Sequence, residues 1–506
     1  MPEYVRALAY VLIISTPVWF LARRLAEPTI DAAEFTLWRN AWFVTTCVLF
    51  LSGNFFIFAA FLGIISIYAF RRSNEPAYLY IVLMFAAPAL PVIVGLFGVI
   101  NKIIDFNPSR LLALVILLPR AIQLARGSSG STKFSITDKL VVAYCVLLML
   151  LSLRLGKVTD ISRMAFIYGL DILLPYFVFS RVLGSVSEIR KALMALVVAA
   201  MPLAAAGMFE LAKGWRLYNT IADAWGINLI APYLIRDGIL RAAVTSAEPI
   251  AFGFVCMVAA GCLLTIRVNR PFGLIGYASL AILLGGLLAS VSRGPWLGFA
   301  LLVLVLLAAH PKGITNVLRG SLALGIFIVP FLMSPYGARF TKYLPFIGTV
   351  ETGNEDYRVD LFHNAMIVIG RNPLFGSPNF LHEPEMQAMV QGQGIVDVVN
   401  TYIGVAIEFG LIALALFVLV FVTIGFKLAW LSFTAPRQDI RISGLLGCLA
   451  AILVTIATVS SVSIIPYLYW TFAGLCVALL RVGATAESHV EQPEPVARMR
   501  VVGRSS

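Results

Sequence analysis

The chain has 506 residues, is 60% hydrophobic and only 13% charged, and has a mean hydropathy of +0.91, so it has too little polar side chain to cover a soluble fold. Runs such as Trp296 to Ala309 and Leu411 to Phe426 are too long and unbroken for the alternating strands of a membrane barrel, which leaves an all-α, polytopic helical membrane protein. A net charge of +12 would suggest nucleic acid in a soluble chain, but here it reads as the basic bias of cytoplasmic loops, and no nucleic-acid partner is expected.

In chain order, the first apolar run (7–22) ends at Arg23-Arg24 without a small-residue cleavage site, which predicts an uncleaved first span. Further spans are expected near 41–70, 78–100, 108–122, 140–155, 164–180, 192–211, 249–266, 272–290, 295–309, 320–334, 400–426, 442–461 and 464–480, about 12 to 14 in all. The 41–70 run is too long for one simple crossing and is interrupted at Ser52-Gly53-Asn54. With the N-terminus inside, the basic loops around Arg71, Arg120–Lys139, Arg181–Lys191, Arg267–Arg270, Lys312–Arg319 and Lys427–Arg441 become cytoplasmic. Residues 1–483 then form one transmembrane domain with both termini cytoplasmic, and 484–506 read as a disordered tail. The six cysteines lie in or near apolar segments with no CxxC pair, which supports neither zinc nor disulfides, and no metal or cofactor is expected.

One long polar stretch, 334–399, falls on the periplasmic side. Within it, Thr352-Gly353-Asn354-Glu355 has the pattern of a capping box. Val359, Phe362, Met366 and Ile369 follow at helical spacing up to Gly370, which predicts an amphipathic helix carrying Arg358, Asp360 and His363 on its polar positions. Asp397, Asn400, Thr401, Gly404 and Glu408 would share one face of the next helix, with Asp397 either a helix cap or a chemical group. Two breaks between apolar runs, Arg241–Gly253 with its Glu248 and Ser290–Trp296 with Ser292 and Arg293, combine guanidinium groups with exposed backbone amides, a pairing suited to a diphosphate. Asp171 lies mid-span, either on an ion path or paired with a neighbouring helix.

Together these segments resemble the O-antigen ligase and polysaccharide polymerase superfamily of bacterial inner-membrane glycosyltransferases. The resemblance is carried by Arg241–Gly253, by Ser290-Val291-Ser292-Arg293-Gly294-Pro295-Trp296, by Arg358–Gly376 with its Asn-Pro-Leu-Phe-Gly, and by Asn400 set nine residues before Gly410-Leu411. It implies a GT-C-like enzyme using a glycan on undecaprenyl diphosphate, metal-independent inverting transfer at the periplasmic face, and a growing polysaccharide chain and a chain-length regulator among its partners in the bilayer. Catalytic roles would fall to Arg293, Arg358 and Asp397, and substrate contacts to Arg241, Glu248, Ser292, His363 and Asn400. Ligases of this family carry His-Asn ahead of the nine-residue spacer, whereas this chain has Val399-Asn400, a departure that favours a polymerase of exopolysaccharide, capsule or O-antigen units over a ligase. A lipid-linked oligosaccharide flippase or transporter is the rival of another class, but such folds tend to repeat their halves, and no repeat is visible here.

Overall fold

The computed structural model describes residues 1–88, 92–96, 100–126, 134–227, 234–236, 238–266, 272–309, 313, 315, 317–320, 352–391, 394–434 and 442–490. The expected span near 320–334, the first part of the polar stretch and most of the tail lie outside them. The described chain is an all-α bundle, and among its residues eight helices are long and apolar enough to cross a membrane, with four shorter apolar helices beside them.

The first half comprises α1 (Glu3–Ala26), α2 (Ala32–Leu51), α3 (Phe55–Phe70), α4 (Pro76–Met84), α5 (Pro108–Arg126), α6 (Ile136–Leu155), α7 (Val158–Val182) and α8 (Val186–Lys213). After the short α9 (Asn219–Ala224) come α10 (Pro249–Ile266), α11 (Gly273–Ala289) and α12 (Arg293–Ala308). The second half of the polar stretch holds α13 (Thr352–Arg371) and α14 (Pro384–Gln387), and the chain closes with α15 (Thr401–Thr434), α16 (Ile442–Ile456) and α17 (Ile465–Val490). The last helix therefore continues past 484, where the tail was expected to begin.

Two of the expected spans are drawn differently. The 41–70 run is two separate helices, because α2 begins at Ala32 and the Ser52–Asn54 turn ends it; the Asn54 side chain then caps α3 by accepting from the Ile57 amide. The 78–100 segment is not a span: α4 stops after 9 residues, and Val92–Leu96 (β1) pairs antiparallel with Ile100–Phe106 (β2). Pro88 and Pro91 cannot continue a helix, and the β-branched Val92, Ile93, Ile103 and Ile104 suit strands.

The direction of α1 also departs from expectation. The Arg6 guanidinium lies 4.7 Å from the Trp215 ring and Tyr10 packs on Phe209, so α1 starts beside the end of α8. At its other end Trp19 packs on Phe35 at the start of α2. Glu34 there accepts from Ser73 and Asn74, and the Tyr78 hydroxyl donates to the Glu188 carbonyl. Arg23 and Arg24 thus join Arg71, Arg72, Arg190 and Lys191 at one end of the bundle, the basic face. The same face holds Asp138, which accepts from Tyr176 and Arg481 while Arg181 stands 3.5 Å away. The start of α1 and Arg481 near the end of α17 consequently sit on opposite faces, with the start of α1 on the face that carries the polar stretch.

Asp171 is resolved as a pairing group. Its carboxylate receives the Arg110 guanidinium through Nη2 at 2.7 Å and Nε at 3.0 Å, deep between α5 and α7. Both helices have a π-helical turn beside the pair, at 113–117 and 169–173.

Candidate functional site

On the face opposite the basic one, four segments meet. The turn between α8 and α10 passes over Glu210, a fully buried carboxylate near the end of α8. Glu210 accepts from the Leu217 amide at 2.9 Å and from the Ala243 and Val244 amides, each at 3.1 Å. This fixes the chain just after Arg241, whose guanidinium turns to the second break: Nη2 donates to Ser292 Oγ at 2.8 Å and Nε to the Ser290 carbonyl at 3.4 Å. The Ala242 amide donates to the Ala289 carbonyl, so backbone and side chain both join the 240s segment to the α11–α12 break.

Ser292 stands at the N-cap of α12, the usual place for a serine that satisfies helix amides. Here its hydroxyl instead accepts from Arg241 and donates to the Ser290 carbonyl, and no side-chain cap is made. The amide end of α12, with its partial positive charge, opens at Arg293 without a serine oxygen over it. Arg236 adds a further cation, donating to the Val291 carbonyl at 3.0 Å, and Arg216 reaches the Ala247 carbonyl.

The third segment is the α16–α17 turn, which joins all the others. A Cβ on Gly294 would stand 2.1 Å from Thr458 Oγ1, so the start of α12 lies directly against this turn. Arg358 on α13 donates to the Thr458 carbonyl at 3.1 Å, Thr401 to the Val459 carbonyl at 2.8 Å, and Ser460 to the Asp397 carboxylate at 2.6 Å. Ser463 donates to the Ser246 carbonyl, which returns to the 240s segment. Among the described residues, the non-glycine positions with left-handed φ are Val244, Ala247, Val291 and Ser463, and all four lie in these joined turns. Each such conformation costs about 1–3 kcal/mol and persists only where its surroundings hold it, a pattern typical of functional sites.

The fourth segment is the polar stretch. α13 forms where the sequence predicts it, but with another face inward: Leu361, Ala365, Val368 and Ile369 are buried, while Val359, Phe362 and Met366 are exposed. The buried face packs with Met386, Met389 and Ile407 in a small core of its own. That core also receives Val399, the residue before Asn400. Tyr357 donates to the Asp397 carbonyl at 3.0 Å; burial pushes its phenol up, with the Asp397 charge adding to the effect. At the far end of α13, Arg371 clamps Glu383 and Glu385, holding the Glu385 carboxyl below the usual range.

The Asn-Pro-Leu-Phe-Gly loop is a plug for a broken helix. Gly410 takes φ 85° and ψ 175° inside α15, a region open only to glycine. The interrupted helix finds its partners in the loop: the Ser377 amide donates to the Ile407 carbonyl at 2.8 Å, and the Leu411 amide to the Pro373 carbonyl at 2.7 Å. Arg154, at the end of α6, donates to the Phe375, Gly376 and Glu408 carbonyls and holds loop and helix together.

Of the residues singled out from sequence, Arg241 and Ser292 touch each other, Arg358 and Asp397 bond to the α16–α17 turn, and Arg293 opens α12 next to Gly294, which lies against that turn. Asn400 is the helix cap: its Oδ1 accepts from the Tyr402 and Ile403 amides. Asp397 therefore lies ahead of α15 rather than on its face, because the helix starts only at Thr401. Glu248 stands at the start of α10, its carbonyl accepting from the Phe252 amide. His363 is exposed beside Phe362, and no described contact brings it to the joined turns. Sequence reasoning missed Glu210 and the Thr458–Ser463 turn, although four hydroxyl residues within Thr-Val-Ser-Ser-Val-Ser, between two apolar helices, were a readable signal.

A multi-pass helical membrane protein with one organised polar site, rich in guanidinium groups and set at one end of its bundle, is the class these features define. Residues 278–418, less than a third of the chain, match the family model described as O-antigen ligase, so this segment is similar to that family. The matched segment runs from α11 through the Ser290–Trp296 break to the α15 helix beyond Gly410, and so includes Arg293, Arg358 and Asp397 but not Arg241, Glu210 or the α16–α17 turn. No curated protein matched the chain.

Proposed function

We propose that the protein is a polymerase that extends polysaccharide chains from undecaprenyl-diphosphate-linked repeat units. The joined turns are its active site, and the face that carries them is periplasmic. The observation that carries this reading is the meeting of Arg241, Arg358 and the start of α12 at Arg293, with its uncapped amide end, at turns held in strained conformations. Preorganised cations and amides of this kind stabilise a leaving diphosphate without having to reorient during the reaction.

In this reaction an acceptor hydroxyl attacks the anomeric carbon, the bond from that carbon to the diphosphate oxygen breaks, and the polyprenyl diphosphate leaves with its electron pair toward the arginines. Asp397 takes the hydroxyl proton; its carboxylate is positioned by Ser460, and Asn400 has already taken the capping role at α15. The basic composition of the opposite face supports its assignment as cytoplasmic. A transmembrane unit with its periplasmic lid, 352–400, accounts for the described chain.

The family description favours a second reading, transfer of a finished glycan to lipid A core or another acceptor. Val399 argues against it, since the position that ligases give to histidine is here an apolar member of the small core. Asp397→Asn tests the proposal: chains of wild-type length from a normally expressed variant would remove Asp397 from the mechanism, and the proposal expects chain growth to fall by about 100-fold or more.

A further inference from the structure

Away from the site, on the basic face, α2 and α3 diverge from their Ser52–Asn54 turn and leave a groove of about 550 Å³. That volume lies within the range of about 300–1,000 Å³ usual for ligand sites. Its walls are apolar along Leu37, Val44, Ile64 and Ile65, and its mouth carries Thr36, Asn40, Asn74 and Arg72. Ile57, Phe61, Ile64 and Ile67 are exposed along the outer side of α3, so the groove opens toward the surface that meets lipid.

The mouth is basic and ordered. Arg72 lies over the Tyr68 ring at 4.5 Å, which braces the guanidinium while its in-plane donors stay available, and Arg71 is exposed next to it. Arg39 donates twice to Asn40 Oδ1, fixing that carboxamide at the rim. The groove's one carboxylate, Glu34, is buried and already accepts from Trp38, Ser73 and the Asn74 amide, so its charge serves to hold the turn that carries Arg71 and Arg72.

We propose that this groove binds an anionic glycerophospholipid of the cytoplasmic leaflet, with an acyl chain along Leu37, Val44 and Ile65 and the phosphate at Arg72 and Asn40. The apolar walls alone would accept any lipid, and the basic rim selects the anionic headgroup. This inference does not depend on the proposed activity, since the groove is on the opposite face from the joined turns.

The test is native mass spectrometry of the full-length, detergent-purified protein with equal amounts of dioleoyl-phosphatidylglycerol and dioleoyl-phosphatidylcholine. Several-fold more phosphatidylglycerol adduct is expected on the wild type. Arg72→Gln is expected to bring the two lipids to parity, and Val44→Trp, which fills the groove from an exposed position, to reduce both. Equal adducts on the wild type, an unchanged preference in Arg72→Gln, unchanged occupancy in Val44→Trp, or a groove covered by a second copy and read as a dimer mass would each overturn the proposal.

Discussion

At the residue scale, the site depends on buried polar groups that touch no substrate. Glu210 is the clearest: Glu210→Ala leaves three backbone amides without their acceptor, at about 1–3 kcal/mol for each one buried. The expected outcome is a protein with a lower melting temperature in detergent, whose remaining folded fraction has lost the set of Arg241. Arg241→Lys keeps the charge but cannot reach Ser292 and the Ser290 carbonyl as a planar fork, so chain growth is expected to drop while expression holds. Far from the site, Arg110→Ala would strand the Asp171 carboxylate in the bundle at a cost of about 3–5 kcal/mol, read as a fall in thermal stability. Arg241 and Arg293 were visible in sequence as charges at breaks between apolar runs, and Arg358 as a polar position of the amphipathic helix in the polar stretch. Glu210 was not, because an acid near a helix end looks the same whether it faces water or takes backbone amides.

At the element scale, the Gly410 break explains why an Asn-Pro-Leu-Phe-Gly loop and a distant glycine belong to one pattern. A Cβ at position 410 would stand 2.2 Å from the Leu374 carbonyl oxygen, and the backbone there is closed to other residues. Gly410→Ala is expected to expel the loop, and limited proteolysis should then cleave within 372–400 in the variant while the wild type resists. Sequence periodicity located α13 to within a residue or so, but of the apolar stripe it named only Ile369 enters the small core, since two apolar stripes run along that helix and only tertiary contact decides between them. It also drew a span through 78–100, where hydropathy outweighed Pro88 and Pro91, residues that a helix interior does not tolerate. The small core under the lid stabilises at neutral pH through the Arg371 clamp as well. The Glu385 carboxyl is held low, so that contribution is present above the ordinary carboxyl range and is lost only as the pH falls through the depressed value.

At the scale of the whole molecule, helix direction follows from a few contacts that hydropathy cannot supply. Arg6 over Trp215 puts the start of α1 beside the site, and this moves Arg23 and Arg24 to the basic face, in better accord with the positive-inside bias than the sequence reading. Labelling single cysteines with an impermeant maleimide is expected to modify Glu3→Cys and Ile395→Cys from the same side and Arg24→Cys only from the other. The fold class was legible because composition alone requires it. The meeting of the 240s, 290s, 390s and 460s was not, since those segments are joined by side chains up to 217 residues apart, beyond the reach of local pattern.

The central claim is that these turns join sugar units on a lipid diphosphate. Its most direct test incubates the purified protein with undecaprenyl-diphosphate-linked repeat units and resolves the lipid-linked products by size. A ladder of longer chains that disappears in Asp397→Asn and Arg241→Lys is predicted. Unextended units, with glycan passing only to an added lipid A core acceptor or only across the bilayer, would contradict it.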